Sequence, residues 1–290
     1  MTETLTVAIT RTPTAAAALT RALNQRCSAR GWHLQPVFVP VSQACFREES
    51  LNGSLETQRG RGVTAQSLRA AEWVTFTSAN GVRGFARWAQ AQELNPAEAL
   101  GRARVACVGR ATRDHLAQLE VPVDFVPTVE DARHMLEQWP QPASVAAENN
   151  RVVCVQGTNA RPTLQQGLRD AGWEVAVLEV YSMHDFPAPT PLQPLDSADA
   201  TALTLTDAAK HLGECDVLIA TAPSLLKKVY RAAHGADFPP VVAIGATTAS
   251  KAAELRLRQL TSTSPAPDDL ADAAIALAAS NLSNSPHVKE

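Results

Sequence analysis

Four short segments of the 290-residue chain place small, hydroxylated and amide residues between an apolar run and a helix-period stretch. They are Thr77-Ser78-Ala79-Asn80, Gly109-Arg110-Ala111-Thr112, Thr221-Ala222-Pro223-Ser224 and Gly245-Ala246-Thr247-Thr248. Such a turn at the C-terminal end of a parallel strand offers free backbone N–H groups at the positive end of a helix dipole, which suits a carboxylate or phosphate. Ser, Thr and Asn also cap helices when no ligand exists, so each single turn carries both readings. Four such turns, two from each half of the chain, point together to a shared anionic ligand. Arg11, directly after the first apolar run, either meets that ligand or is merely solvated. Arg161 reads as a solvated residue at a helix start, and Lys227 and Lys228 as an outer helix face. Tyr181 ends another apolar run, as an interfacial aromatic with its hydroxyl in water or as a proton donor facing a cleft.

The motifs that are missing narrow the chemistry. No GxGxxG follows an apolar run, and GxxxxGK[ST], HExxH and G-x-S-x-G do not occur. The seven histidines are isolated; His115, His134, His211 and His234 fall on or beside helices and read as surface or packing residues. Dinucleotide, nucleotide triphosphate, metal and acyl-enzyme chemistry are all disfavoured. An enzyme built from these residues works by positioning a reactive substrate.

The elements that must position them alternate along the chain. Apolar runs predict strands at 5–9, 32–41, 73–77, 104–108, 121–126, 151–156, 173–181, 216–220, 241–244 and 257–261. Helical periodicity predicts helices at 14–30, 80–91, 111–119, 131–139, 161–171, 223–233, 247–255 and 268–279. Strands apolar on both faces, alternating with helices, mean parallel sheets covered on both sides. Breaks fall at 43–67, a solvated insertion carrying Arg59-Gly60-Arg61-Gly62, at the polar turn 140–150 and at the proline-rich connection 186–200. The residues from 281 onward read as a frayed tail.

An internal repeat organises these elements. The segment through Thr77 is echoed around Thr221, that through Gly109 around Gly245, and Ile9-Thr10-Arg11 leading to Gly31-Trp32 is echoed by Val155-Gln156-Gly157 leading to Gly172-Trp173. Three units recur in one order at nearly constant spacing, so the chain contains two similar α/β halves, with a ligand expected between them. Composition agrees with two sizeable cores: 45% of residues are hydrophobic and 19% charged. Lys and Arg number 26 against 29 Asp and Glu, a net charge of -3, which argues against a nucleic-acid or membrane-surface partner. The five scattered cysteines read as buried thiols of a reducing cytoplasm, and neither a membrane span nor a signal peptide is expected.

Thr10-Arg11, Phe76-Thr77-Ser78-Ala79-Asn80-Gly81-Val82, Val108-Gly109-Arg110-Ala111-Thr112, Gly157 with Arg161 and Leu164, Gly172-Trp173, Val180-Tyr181, Thr221-Ala222-Pro223-Ser224 and Ile244-Gly245-Ala246-Thr247-Thr248-Ala249 stand in the order of one family. Over residues 7–255 the chain resembles the uroporphyrinogen-III synthases. That resemblance implies two similar flavodoxin-like parallel-sheet domains joined by a two-stranded connector. Residues 1–38 plus 186–290 would form the first and 39–185 the second, with connectors near 38–41 and 180–186. It implies a cytoplasmic, monomeric lyase that dehydrates and cyclises hydroxymethylbilane to uroporphyrinogen III, inverting ring D through a spiro intermediate, in haem or sirohaem biosynthesis. The linear tetrapyrrole would be handed over by hydroxymethylbilane synthase, with no cofactor, metal, nucleic acid or membrane involved. Tyr181 would be the acid or orienting group at the leaving hydroxyl. Arg11, Thr77, Ser78, Asn80, Gly109, Thr112, Gly157, Thr221, Ser224 and Thr248 would bind the substrate.

Some positions depart from the family's pattern. Ala222 stands where Ser is frequent, Tyr230 lies one place beyond an expected aromatic, and Arg110 and Ala246 replace a common proline. The residues themselves leave a second class open, a non-catalytic two-lobed intracellular sensor or binding protein for a small polyanionic ligand. Such sensors usually carry a basic recognition helix, and neither end of the chain offers one. A phosphosugar isomerase or transferase using the same turns has no motif in its favour.

Overall fold

The computed structural model describes residues 3–52, 63–141, 150–193, 197–233 and 237–282. The strands are β1 (Glu3–Ile9), β2 (Trp32–Phe38), β3 (Ser42–Phe46), β4 (Trp73–Phe76), β5 (Arg104–Cys107), β6 (Arg151–Gly157), β7 (Glu174–Asp185), β8 (Val217–Ala220), β9 (Val241–Ala243) and β10 (Gln259–Thr261). The helices are α1 (Ala17–Ser28), α2 (Ala65–Arg69), α3 (Ala79–Ala91), α4 (Pro96–Leu100), α5 (Arg110–Gln118), α6 (Ala132–Glu137), α7 (Thr163–Asp170), α8 (Leu205–His211), α9 (Pro223–Ala232), α10 (Ala246–Glu254) and α11 (Pro267–Leu282). Contacts gather the described residues into two units. One holds residues 3–43, 185–187 and 197–282, the other those of 44–184 and 188–193.

Each unit is built on one five-stranded sheet. The first runs β2-β1-β8-β9-β10, with every neighbouring pair parallel. The second runs β3-β7-β6-β4-β5, parallel from β7 to β5. The internal repeat explains the likeness. β6 and β7 take the places that β1 and β2 hold in the first sheet, and β4 and β5 take those of β8 and β9. Strand order therefore reverses between β1 and β8 in one unit and between β6 and β4 in the other. Open α/β sheets leave a crevice for ligands at such a reversal, beyond the C-terminal ends of the strands. The ends of these strands and the turns after them carry Arg11, Thr77, Ser78, Asn80, Gly157, Thr221 and Ser224, whereas Gly109 and Thr112 follow β5, Thr248 follows β9 and Tyr181 lies in β7.

Alternation along the strands divides each core in two. In β8, Val217 and Ile219 join Leu5, Val7 and Ile9 on the face covered by α1 and α11. Leu218 and Ala220 point the other way, to Leu226, Val229 and Ala252 of α9 and α10. In β6, Val153 and Val155 meet Val82, Phe85 and Trp88 of α3, whereas Val152 and Cys154 meet Met135, Leu164 and Leu168 of α6 and α7. Strands apolar at every position follow from that two-sided cover. Each fully buried Val, Leu or Phe contributes roughly 1.5–3 kcal/mol.

The structure alters several expectations. Residues 121–126 form no strand: only Phe125 bridges to Ala106, and the Asp124 carboxylate takes the Val105 N–H at 2.7 Å. Pro122 interrupts the run and has no N–H to give a ladder. The expected strand at 257–261 shrinks to the three residues of β10. The insertion at 43–67 is partly built into the fold. Ala44, Cys45 and Phe46 of β3 are buried, the Ser50 carbonyl accepts the Trp88 indole N–H at 3.1 Å, and Thr64 with Ser67 forms a capping box for α2. Its Arg59–Gly62 run lies outside the described residues, as do 142–149 of the polar turn, His234 and the tail from 283. In the proline-rich connection Ala188 and Leu192 are buried, and 194–196 lie outside the described residues.

Candidate active site

In the first unit the candidate residues gather around Thr10, the buried residue that follows β1. Its hydroxyl lies 3.2 Å from the Ile219 carbonyl, accepts the Thr221 N–H at 3.2 Å and meets the Thr221 hydroxyl at 3.0 Å. A single proton cannot serve both oxygens, so when Thr10 donates to Ile219 the Thr221 hydroxyl donates to Thr10. The pair ties the end of β1 to the turn before α9. Arg11 is half-buried beside it, and burial pushes its guanidinium below the ordinary arginine value. Ala222 caps α9 and Gly245 caps α10 without any side-chain hydrogen bond. A missing serine thus leaves the amides of α9 uncovered. Thr248 is fully buried in the first turn of α10 with its hydroxyl unpartnered, and Ser224 is exposed.

In the second unit Ser78 caps α3 by accepting the Gly81 N–H at 3.1 Å, and its hydroxyl lies 3.2 Å from that of Tyr181. The register slips between Gln156 and Gly157, which pairs Gly157 with Tyr181 and turns the tyrosine ring over the glycine. A Cβ at Gly157 would stand 2.5 Å from Tyr181 Cζ, so only glycine lets the ring sit there. Tyr181 is half-buried, and β7 continues past it to Asp185. Thr77 is half-buried beside Ser78, and Thr112 is buried in the first turn of α5. Gly109 is hemmed in by Glu130, whose carboxylate accepts the Arg110 Nε–H at 2.9 Å and also takes the Arg110 backbone N–H. Those bonds hold Glu130 below the usual carboxylate range. An anion site predicted at this turn therefore already holds a carboxylate of the chain.

Asn80 behaves differently from the expectation. Its side-chain oxygen accepts from Arg83 Nη1 at 3.2 Å, while Arg83 Nη2 lies 2.6 Å from His115 Nε2. His115 Nδ1 lies 2.8 Å from the Ala111 carbonyl. The sequence alone does not single out Arg83, and His115 reads there as a surface or packing residue. The spacing of Asn80 and Arg83 on one helix face was a usable signal, whereas the partnership with His115 needs α3 and α5 side by side.

The family model described as Uroporphyrinogen-III synthase HemD matches residues 21–272. The chain belongs to the uroporphyrinogen-III synthase family. These enzymes are cyclising lyases of tetrapyrrole biosynthesis, and the match gives no support to the sensor reading. Two synthase structures share the fold. A mutant uroporphyrinogen III synthase from the extremely thermophilic bacterium Thermus thermophilus is 17% identical, with 96% of this chain and 99% of that one covered and a TM-score of 0.57. The enzyme from Helicobacter pylori is 16% identical, covering 94% and 99%, with a TM-score of 0.56. Comparison with curated protein sequences gives no match. No helix among the described residues of this family member is long and apolar enough to cross a membrane.

Proposed function

We propose that the chain dehydrates hydroxymethylbilane and closes it to uroporphyrinogen III with inversion of ring D, with Tyr181 acting at the leaving hydroxyl. The observation that carries this reading is the tyrosine hydroxyl held 3.2 Å from Ser78 Oγ, with its ring against Gly157. A weak acid fixed from two sides can deliver a proton to one chosen oxygen. As the ring-A C–O bond breaks, water leaves with the bonding pair and the pyrrole nitrogen shares its lone pair with the carbon left behind. The substituted α-carbon of ring D attacks that carbon, the spiro intermediate reopens and recloses, and loss of a proton restores the pyrrole. One proton enters at oxygen and one departs from the ring, so the balance is loss of water.

The remaining work is placement, because the electrophile also closes unaided to the uninverted isomer. Some of the substrate's eight carboxylates would be received at the uncapped first turns of α9 and α10 by Thr221 and Ser224, with Arg11 beside β1, while Thr248, buried in α10, would shape its turn from behind. Thr77, Ser78, Asn80 and Gly157 would line the other unit's edge. Gly109 and Thr112 shape the α5 turn, which takes a substrate carboxylate only by displacing Glu130. We read the two contact-defined units as two domains and the protein as a cytoplasmic monomer supplied by hydroxymethylbilane synthase, in haem or sirohaem synthesis. Steady-state kinetics of Tyr181→Phe test the central assignment. Loss of a positioned acid lowers turnover roughly a hundredfold; a wild-type rate would remove Tyr181 from the chemistry.

A further inference from the structure

Arg83 departs from the usual economy of a half-buried arginine. Burial lowers its pKa from the ordinary arginine value, which means the charged form has lost water. Such a loss is normally offset by a carboxylate, yet no described carboxylate pairs with Arg83. Its partners are the Asn80 amide oxygen at 3.2 Å and His115 Nε2 at 2.6 Å. For His115 Nε2 to accept from a guanidinium, the imidazole must be neutral with its proton on Nδ1. Nδ1 then donates to the Ala111 carbonyl at 2.8 Å, so one tautomer satisfies both contacts. The guanidinium is thus aimed by neutral groups that leave its charge uncancelled.

The position of this charge is specific. Asn80 lies in the first turn of α3, two residues after Ser78, which meets the Tyr181 hydroxyl. His115 reaches back along α5 to Ala111 in that helix's first turn. The guanidinium therefore lies by the first turns of both helices, at the C-terminal edge of β4 and β5. Arg110 and Arg113, the arginines at the start of α5, are already engaged. Ser78 caps α3, Glu130 fills the start of α5 and pairs with Arg110, and Arg113 pairs with Asp114.

We infer that Arg83, held by Asn80 and His115, clamps a carboxylate of the tetrapyrrole substrate. This rests on the synthase reading and extends it to a residue that reading does not use. A guanidinium fork keeps further N–H groups for a two-point grip on a carboxylate, a geometry that lysine lacks. Arg83 would hold a substrate side chain and not the reacting atoms, so its loss should weaken binding and leave the chemistry in place.

Steady-state kinetics on fresh hydroxymethylbilane separate these effects. Arg83→Ala should raise KM about tenfold to a hundredfold, in line with a charge-assisted pair, with kcat changed less than about threefold. Arg83→Lys should recover part of the loss. The KM of the wild type should rise with added salt more steeply than that of Arg83→Ala. Asn80→Ala and His115→Ala keep the charge and release its aim, so each should raise KM by a smaller factor. They carry the test if Arg83→Ala does not fold. Unchanged KM in Arg83→Ala, or a fall confined to kcat, overturns the clamp while the wild type still makes the type III isomer. A wild type that yields only type I overturns the synthase reading instead.

Discussion

Tyr181 owes its position to a glycine and a serine from different strands' ends, and each can be altered separately. In Gly157→Ala the new methyl would start 2.5 Å from Tyr181 Cζ, so the ring must leave the glycine and lose the Ser78 hydroxyl. Overpacking of this kind costs about 1–3 kcal/mol of stability. We expect turnover of Gly157→Ala to approach that of Tyr181→Phe, measured alongside a urea unfolding curve; full activity would separate the ring's position from catalysis. Thr112→Ala should cost less turnover than Tyr181→Phe, because Thr112 is buried behind a turn that Glu130 already occupies. Equal near-wild-type rates for both variants would contradict the assignment of the acid. At this scale the sequence exposed the residues but not their partners. Thr77, Ser78, Gly157 and Thr221 stand out as small or hydroxylated residues after apolar runs. The pairing of Tyr181 with Gly157 depends on a one-residue slip between β6 and β7 that no local pattern encodes.

Among the elements, helix starts divide into those that the chain caps and those that it leaves open. Asp131 is held below the usual carboxylate range chiefly by the His134 N–H at the start of α6, and Asp207 chiefly by the Thr204 hydroxyl at the start of α8. Glu130 is lowered first by Arg110, and Asp272 first by Arg26. A depressed folded-state pKa means that the stabilisation is complete above the unfolded value and is lost as pH falls through the folded one. Urea midpoints should therefore be level from pH 7 to pH 5 and fall below about pH 4, where unfolded carboxylates begin to bind protons. A midpoint that rose on acidification would contradict these caps. The packing of α3 gives a second test. Phe85 is fully buried between Phe76, at 5.3 Å, and Trp88, at 5.8 Å. Phe85→Ala should cost roughly 3–5 kcal/mol in denaturant unfolding. Strand and helix alternation was legible because strands covered on both faces are apolar throughout. β3 and α2 were hidden because their segment is polar and short, and Pro122 was overlooked inside an apolar run.

For the whole molecule, the repeat accounts for two sheets with one strand order drawn from different stretches of chain. It does not say which stretches share a sheet, since halving the chain would satisfy it equally well. The interleaving became legible only through the family resemblance. The five cysteines are buried, and burial pushes Cys107, Cys154 and Cys215 each up to about 11. At pH 8 the native protein should leave a disulfide reagent such as Ellman's nearly unreacted, and unfolding in urea should release all five thiols. Rapid reaction of the native protein would show that a unit opens more readily than its packing implies.

Closure of a linear tetrapyrrole with ring D inverted is the activity that most needs testing. The most direct measurement supplies freshly generated hydroxymethylbilane, oxidises the products and separates type I from type III porphyrin by chromatography. Predominant type III, in proportion to the amount of protein, is expected. Type I alone, formed at the uncatalysed rate in the presence of folded protein, would contradict it.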